Sequence, residues 1–167
     1  MNKAIKRIIN KDLKSIEHNK LNDNGIYVEF DEENMLRARV LIVGPEGSLY
    51  EGGYFFFYIT FPNNYPFSPP DVSYLSRNNI RIHPNLYVKG HKSGFGKVCL
   101  SILGTWSGPQ WTTIMDVSTV LLSLQSLLDK DPLLNEPGFH KKNKHQLEII
   151  NNYNDVIFFE NIHTMLI

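Results

Sequence analysis

Apolar residues recur at helical spacing from the start of the chain. Ile5, Ile8, Ile9, Leu13 and Ile16 fall three or four apart with Lys and Asn between them, which predicts an amphipathic helix. Asn22-Asp23-Asn24-Gly25 ends it, and the period then changes to two. Ile26, Val28 and Phe30 alternate with polar partners, and Leu36, Ala38, Val40 and Ile42 alternate with residues that include Arg37 and Arg39. These predict two strands, the second with one wetted face. Gly44-Pro45-Glu46-Gly47 is a turn signal. Tyr54 to Phe61 is almost wholly aromatic and β-branched and predicts a central strand covered on both faces. Pro62, Pro66, Pro69 and Pro70 forbid regular structure in the next loop. Asp71 to Leu75 predicts a short fourth strand.

From Asn78 to Gly108 the periodicity lapses while special residues accumulate. A stretch of that length without regular structure inside a compact domain is usually functional. Val117, Val120, Leu121, Leu124, Leu127 and Leu128 then form a strong helical stripe. Thr113 with Asp116 three residues on predicts a capping box before it, and Asp131-Pro132 is expected to end it. Gln146 to Ile167 predicts one or two C-terminal helices. The sum is an α+β fold: a four-stranded antiparallel meander backed by an N-terminal helix, with a long central helix and C-terminal helices. No internal repeat or linker divides the chain, so residues 1–167 are expected to form a single domain, its core about 3–139 and a helical extension about 140–167.

Composition narrows the function classes. Apolar residues make up 42% of the 167, and 17 basic residues balance 17 acidic ones, so no field favours nucleic acid. The basic cluster His140-Lys141-Lys142-Asn143-Lys144-His145 is expected to be a solvated loop or helix start. No apolar stretch comes after Met1 and no window is apolar enough to span a bilayer, so neither a secretory signal nor a membrane segment is expected. With a single cysteine, that points to a reducing compartment, the cytoplasm or nucleus.

That cysteine, Cys99, lies downstream of His83-Pro84-Asn85. A single thiol makes no intramolecular disulfide and, alone, a poor metal site, but it can be a nucleophile. A nearby asparagine amide can donate to a developing oxyanion, and together they suggest acyl chemistry on sulfur. Around them stand Tyr50-Glu51-Gly52-Gly53-Tyr54-Phe55-Phe56, Phe61-Pro62-Asn63-Asn64-Tyr65-Pro66-Phe67-Ser68-Pro69-Pro70, Val98-Cys99-Leu100-Ser101-Ile102-Leu103 and Trp111. In this order the strings resemble the ubiquitin-conjugating enzyme family. Leu103 to Trp111, Asn135-Glu136-Pro137-Gly138-Phe139 and Tyr153-Asn154-Asp155-Val156-Ile157 resemble the branch that includes the large hybrid conjugating enzymes.

The resemblance implies roles. Cys99 would accept ubiquitin, or a ubiquitin-like modifier, as a thioester from an activating enzyme and pass it to a lysine of a protein substrate, usually with a ubiquitin ligase. A thiolate suits this, being both a good nucleophile and a good leaving group. Asn85 would be the oxyanion donor or a brace for the Cys99 loop. His83 would hold the turn, and Pro84 would set it through its fixed φ. Glu136, or alternatively Asp131, would be the acidic residue that helps the attacking lysine lose its proton. Phe67 stands at an expected ligase contact, and Thr112-Thr113-Ile114 replaces the Ser-Pro-Ala that many ligases touch. Trp106 and Trp111 would be packing anchors of the active-site wall. The resemblance further implies a monomer with no bound cofactor, ATP being consumed by the activating enzyme.

The chain departs from the pattern in one place. His83 and Cys99 are 16 positions apart, longer than the family spacing, and the extra residues in Tyr87 to Gly96 are expected to form a mobile flap or a tolerated surface insertion. Three other readings compete: an inactive ubiquitin-binding variant, a cysteine hydrolase using Cys99 with His83, His91 or His140, and a metal site from His83, His91 and Cys99.

Overall fold

The computed structural model describes residues 2–77, 79–140 and 143–166. Its centre is a six-stranded antiparallel sheet in the order β1-β2-β3-β4-β6-β5. The strands are β1 (Ile26–Phe30), β2 (Arg37–Val43), β3 (Tyr54–Thr60), β4 (Asp71–Leu75), β5 (Leu86–Gly90) and β6 (Gly96–Val98). The first four are the expected meander, each paired with the next. The other two correct the count of four. They come from the stretch without periodicity, where apolar residues are too few and too interrupted by Gly and Lys to show one.

β5 and β6 form a hairpin with a register shift, and β6 pairs with β4. Gly96 makes this possible: a Cβ there would sit 1.8 Å from the Tyr87 carbonyl oxygen, so only glycine lets the strands close up. The expected flap is therefore a docked hairpin. His91 Nε2 lies 3.0 Å and Lys92 Nζ 2.7 Å from the Asp71 carboxylate, and Phe95 stacks on Tyr58 at 5.5 Å.

The central strand is covered on one face only. Phe55, Phe57 and Ile59 are buried in the same core as the helix α3 (Val117–Leu127). Phe56 and Tyr58, on the other face, are half-buried, shielded by the Arg77 guanidinium and the Phe95 ring. Aromatic density makes this strand look two-sided in the sequence, but helices supply cover on one side. The α3 stripe is buried as its period predicts. Its N-cap is Asp116 itself, whose carboxylate accepts from Thr119 N, and not Thr113; the helix ends at Leu127, before Asp131-Pro132.

The N-terminal helix is broken in register. α1 (Lys3–Arg7) and α2 (Leu13–His18) are joined by a π turn over Ile8–Asp12. The extra residue in that turn rotates the next helical segment about its axis, so Ile9 and Leu13 face outward and Asp12 goes into the core. Asp12 Oδ1 accepts from the Tyr65 hydroxyl at 2.6 Å and from Val117 N at 2.8 Å, stapling the helix to the proline loop and to the start of α3. Burial raises the Asp12 carboxyl above its ordinary range, partly offset by these two donors and by Arg7.

The C-terminal segment is one helix, α4 (Lys144–Met165), capped by Asn143. Asn161 donates to the Glu51 carbonyl and Thr164 accepts from Tyr54 N, so α4 packs on the β2–β3 turn. No described helix is long and apolar enough to cross a membrane. Within the basic cluster, Lys141 and Lys142 lie outside the described residues.

Candidate active site

Cys99 comes directly after β6, and a reciprocal clamp fixes it. Cys99 N donates to the Asn85 carbonyl at 2.9 Å, and Asn85 Nδ2 donates to the Cys99 carbonyl at 2.7 Å. The β5–β6 pairing of Leu86 with Val98 brings these two stretches side by side. Thr105 braces the backbone on either side of the cysteine: its hydroxyl donates to the Val98 carbonyl at 2.7 Å and accepts from Leu100 N at 2.9 Å. No motif in the sequence marks Thr105 for this part.

Cys99 is 3% exposed. Burial pushes the thiol above its ordinary value, with Lys97 and Arg81 opposing and Glu136 adding to the rise. One N–H of the Asn85 amide is spent on the Cys99 carbonyl, and its second remains. Asn85 Oδ1 is buried without a hydrogen-bond partner.

His83 is fully buried. Its Nδ1 accepts from Asn85 N at 2.9 Å, which makes the turn through Pro84 an Asx-like backbone turn closed by imidazole. Burial lowers it to about 4, the Leu127 backbone opposing and the Arg81 charge adding to the fall. Nε2 has no partner at hydrogen-bonding geometry. A neutral, enclosed imidazole is a poor proton shuttle and a good spacer. Tyr50, also buried, supports the same turn by donating to the Ile82 carbonyl at 2.6 Å.

The two candidate acids separate. Glu136 accepts from Arg81 at 3.4 Å, and its charge is felt at the thiol. Asp131 precedes the 3₁₀ turn Pro132–Asn135, its backbone N–H bound to the Asp129 carboxylate. Arg81 also donates to the Pro84 carbonyl and lies 3.9 Å above the Tyr87 ring. Its role is invisible in the sequence because its acidic partner is 55 positions away.

Phe67, 78% exposed, and the exposed Thr112-Thr113-Ile114 lie on one wall. Trp111 joins them by donating to the Pro66 carbonyl at 2.7 Å, while Arg7 and Lys11 donate to the carbonyls of Met115 and Ile114. Trp111 is thus an anchor; Trp106, 39% exposed, is not buried enough to be one. Among the described residues no group of His, Cys, Asp and Glu could hold a metal ion. His91 is committed to Asp71 and Ser93.

Residues 8–157 match the family profile described as Ubiquitin-conjugating enzyme. The chain belongs to the ubiquitin-conjugating enzyme family. Among curated relatives, it is 42% identical to "Ubiquitin-conjugating enzyme E2 Z" of Homo sapiens over 140 residues, 83% of this chain and 37% of that protein. The Xenopus tropicalis protein of the same name gives the same identity, covering 42% of its own length. "Probable ubiquitin-conjugating enzyme E2 25" of Arabidopsis thaliana is 44% identical over 142 residues, 81% of this chain and 20% of that protein. The chain spans about two fifths of the vertebrate relatives it matches. The likeness to E2 Z accords with the hybrid branch that the Leu103–Trp111 string suggests.

Proposed function

We propose that Cys99 accepts ubiquitin, or a ubiquitin-like modifier, as a thioester from an activating enzyme and transfers it to a lysine of a protein substrate, with a ligase docking on the Phe67 and Thr112–Ile114 wall. The observation that carries this reading is the clamp between Cys99 and Asn85. It ties the backbone of the chain's one cysteine to a side-chain amide with an N–H to spare, the kind of donor that an acyl carbon becoming tetrahedral needs. Burial also suits transfer. It disfavours the bare thiolate but leaves a neutral thioester at little cost, and it limits the access of water to that bond. No hydrogen bond joins Cys99 to an imidazole among the described residues, so the hydrolase arrangement has no support in geometry.

The test is a charging reaction with activating enzyme, ubiquitin and ATP, run on a non-reducing gel. The expected result is an ATP-dependent adduct that reductant removes and Cys99→Ala abolishes. No adduct with any of several activating enzymes and modifiers would turn the reading toward a ubiquitin-binding variant.

A further inference from the structure

Three parts of the site wall converge on one side chain. Arg81 Nη2 donates to the Pro84 carbonyl in the His-Pro-Asn turn and to Glu136 Oε2 at 3.4 Å. The guanidinium lies 3.9 Å over the ring of Tyr87 in β5. Its Nε is buried with no hydrogen bond, a cost that a fully solvated placement would avoid. A planar fork on an aromatic ring is pre-organised in a way that a lysine ammonium is not. Glu136 is left half-engaged: its side chain is 38% exposed, and Oε1 takes no hydrogen bond among the described residues.

We propose that Arg81 is a positioning residue for the acceptor step: seated on Tyr87 and tied to the Pro84 carbonyl, it fixes the Glu136 carboxylate near Cys99 with Oε1 turned over to an incoming lysine ammonium. The inserted hairpin then has a use, since Tyr87 supplies the platform. This inference rests on the conjugation reading above. In the step it serves, the lysine nitrogen bonds to the acyl carbon, the C–S bond breaks, and the electron pair returns to the Cys99 sulfur. The ammonium loses two protons in becoming the amide: one passes by Glu136 to water before attack, and the second, shed by the nitrogen as the C–S bond breaks, is taken up by the released sulfur, which ends as the Cys99 thiol. Arg81 touches none of these atoms; it sets where the carboxylate stands.

The experiment charges the whole chain with ubiquitin, isolates the thioester, and monitors its single-turnover discharge to free lysine across pH. Arg81→Gln is expected to slow discharge by up to about 100-fold, the scale of a reacting group displaced by about 1 Å, and Arg81→Lys to fall between it and the parent. Glu136→Gln should slow discharge similarly, and the double variant should be no slower than either single one, because both remove the same arrangement. Tyr87→Leu, which keeps the charge and removes the platform, should reproduce part of the Arg81→Gln loss. The pH dependence of charging gives a separate readout: Arg81→Gln moves it to higher pH and Glu136→Gln to lower pH, according to the sign of the charge removed. Unchanged discharge in Arg81→Gln overturns the inference. So do losses that add in the double variant, or equal losses in charging and discharge with no pH displacement, which would mark a purely structural arginine. If Arg81→Gln fails to fold by thermal melting, Tyr87→Leu and Glu136→Gln carry the test. A parent chain that takes no ubiquitin at all overturns the conjugation reading, and this inference with it; a parent that charges while discharge ignores Arg81 overturns the inference alone.

Discussion

At the scale of single residues, the thiol and the amide give the sharpest expectations. Burial holds the Cys99 thiol above its ordinary 9.0, so the reactive thiolate fraction should rise with pH and not level off at or below pH 9.0. Iodoacetamide alkylation with mass measurement checks this, and a plateau near neutrality would contradict it. Asn85 donates one N–H to the Cys99 carbonyl at 2.7 Å. Asn85→Ala should therefore destabilise the fold by about 1–3 kcal/mol and slow lysine discharge by about 100-fold, with charging slowed much less. Equal slowing of both steps would make the amide only a brace. Cys99, Asn85, His83 and Pro84 can be nominated from the sequence by residue type and order, and hydrogen bonds through Asn85 join His83 and Cys99 to it. Arg81, Thr105 and Tyr50 cannot be nominated so. Their parts depend on which backbone carbonyl or carboxylate folding brings near: the Tyr50 hydroxyl reaches a carbonyl 32 positions away.

At the scale of elements, the inserted hairpin is the main departure from the sequence reading. Phe95 on Tyr58 and the Asp71 contacts of His91 and Lys92 attach it to the sheet. The two Asp71 contacts are partly solvated and contribute little each, whereas an aromatic pair contributes about 0.5–1.5 kcal/mol beyond its buried area. Phe95→Ala should thus loosen β5 and β6 selectively. Amide hydrogen exchange should quicken in residues 86–98 and stay as in the parent in β1 to β3; uniform quickening would mean that the hairpin is not a separable element. The meander and α3 are readable because their period persists over several turns or strands. The hairpin is not, since a three-residue strand such as β6 carries no period. The π turn is equally hidden: one added residue sends Asp12 inward and Ile9 and Leu13 outward, and helical spacing alone favours the opposite.

At the scale of the whole molecule, the turn that carries the site also ties fold stability to pH. His83 is held at about 4 in the folded chain against an ordinary 6.5. Between those values the unfolded chain binds a proton that the folded one does not, so stability is full above pH 6.5 and falls as pH drops toward 4. The loss from this one group is on the order of 3 kcal/mol. Asp12, raised above 3.8, acts in the opposite sense, gaining stability as it takes up its proton. Thermal melting of the parent should show the fall, and His83→Asn, whose amide oxygen can accept the same Asn85 N–H, should flatten it; an unchanged slope would show that another group sets it. The central claim remains that the enclosed thiol carries the modifier. Its most direct measurement is the mass of the Cys99→Ser chain after reaction with activating enzyme, ubiquitin and ATP, combined with peptide mapping. An adduct one ubiquitin heavier, minus one water, resistant to reductant, cleaved by mild base and mapped to residue 99, is the predicted result. An adduct mapped to a lysine, or none while the parent also takes no ubiquitin, would contradict it.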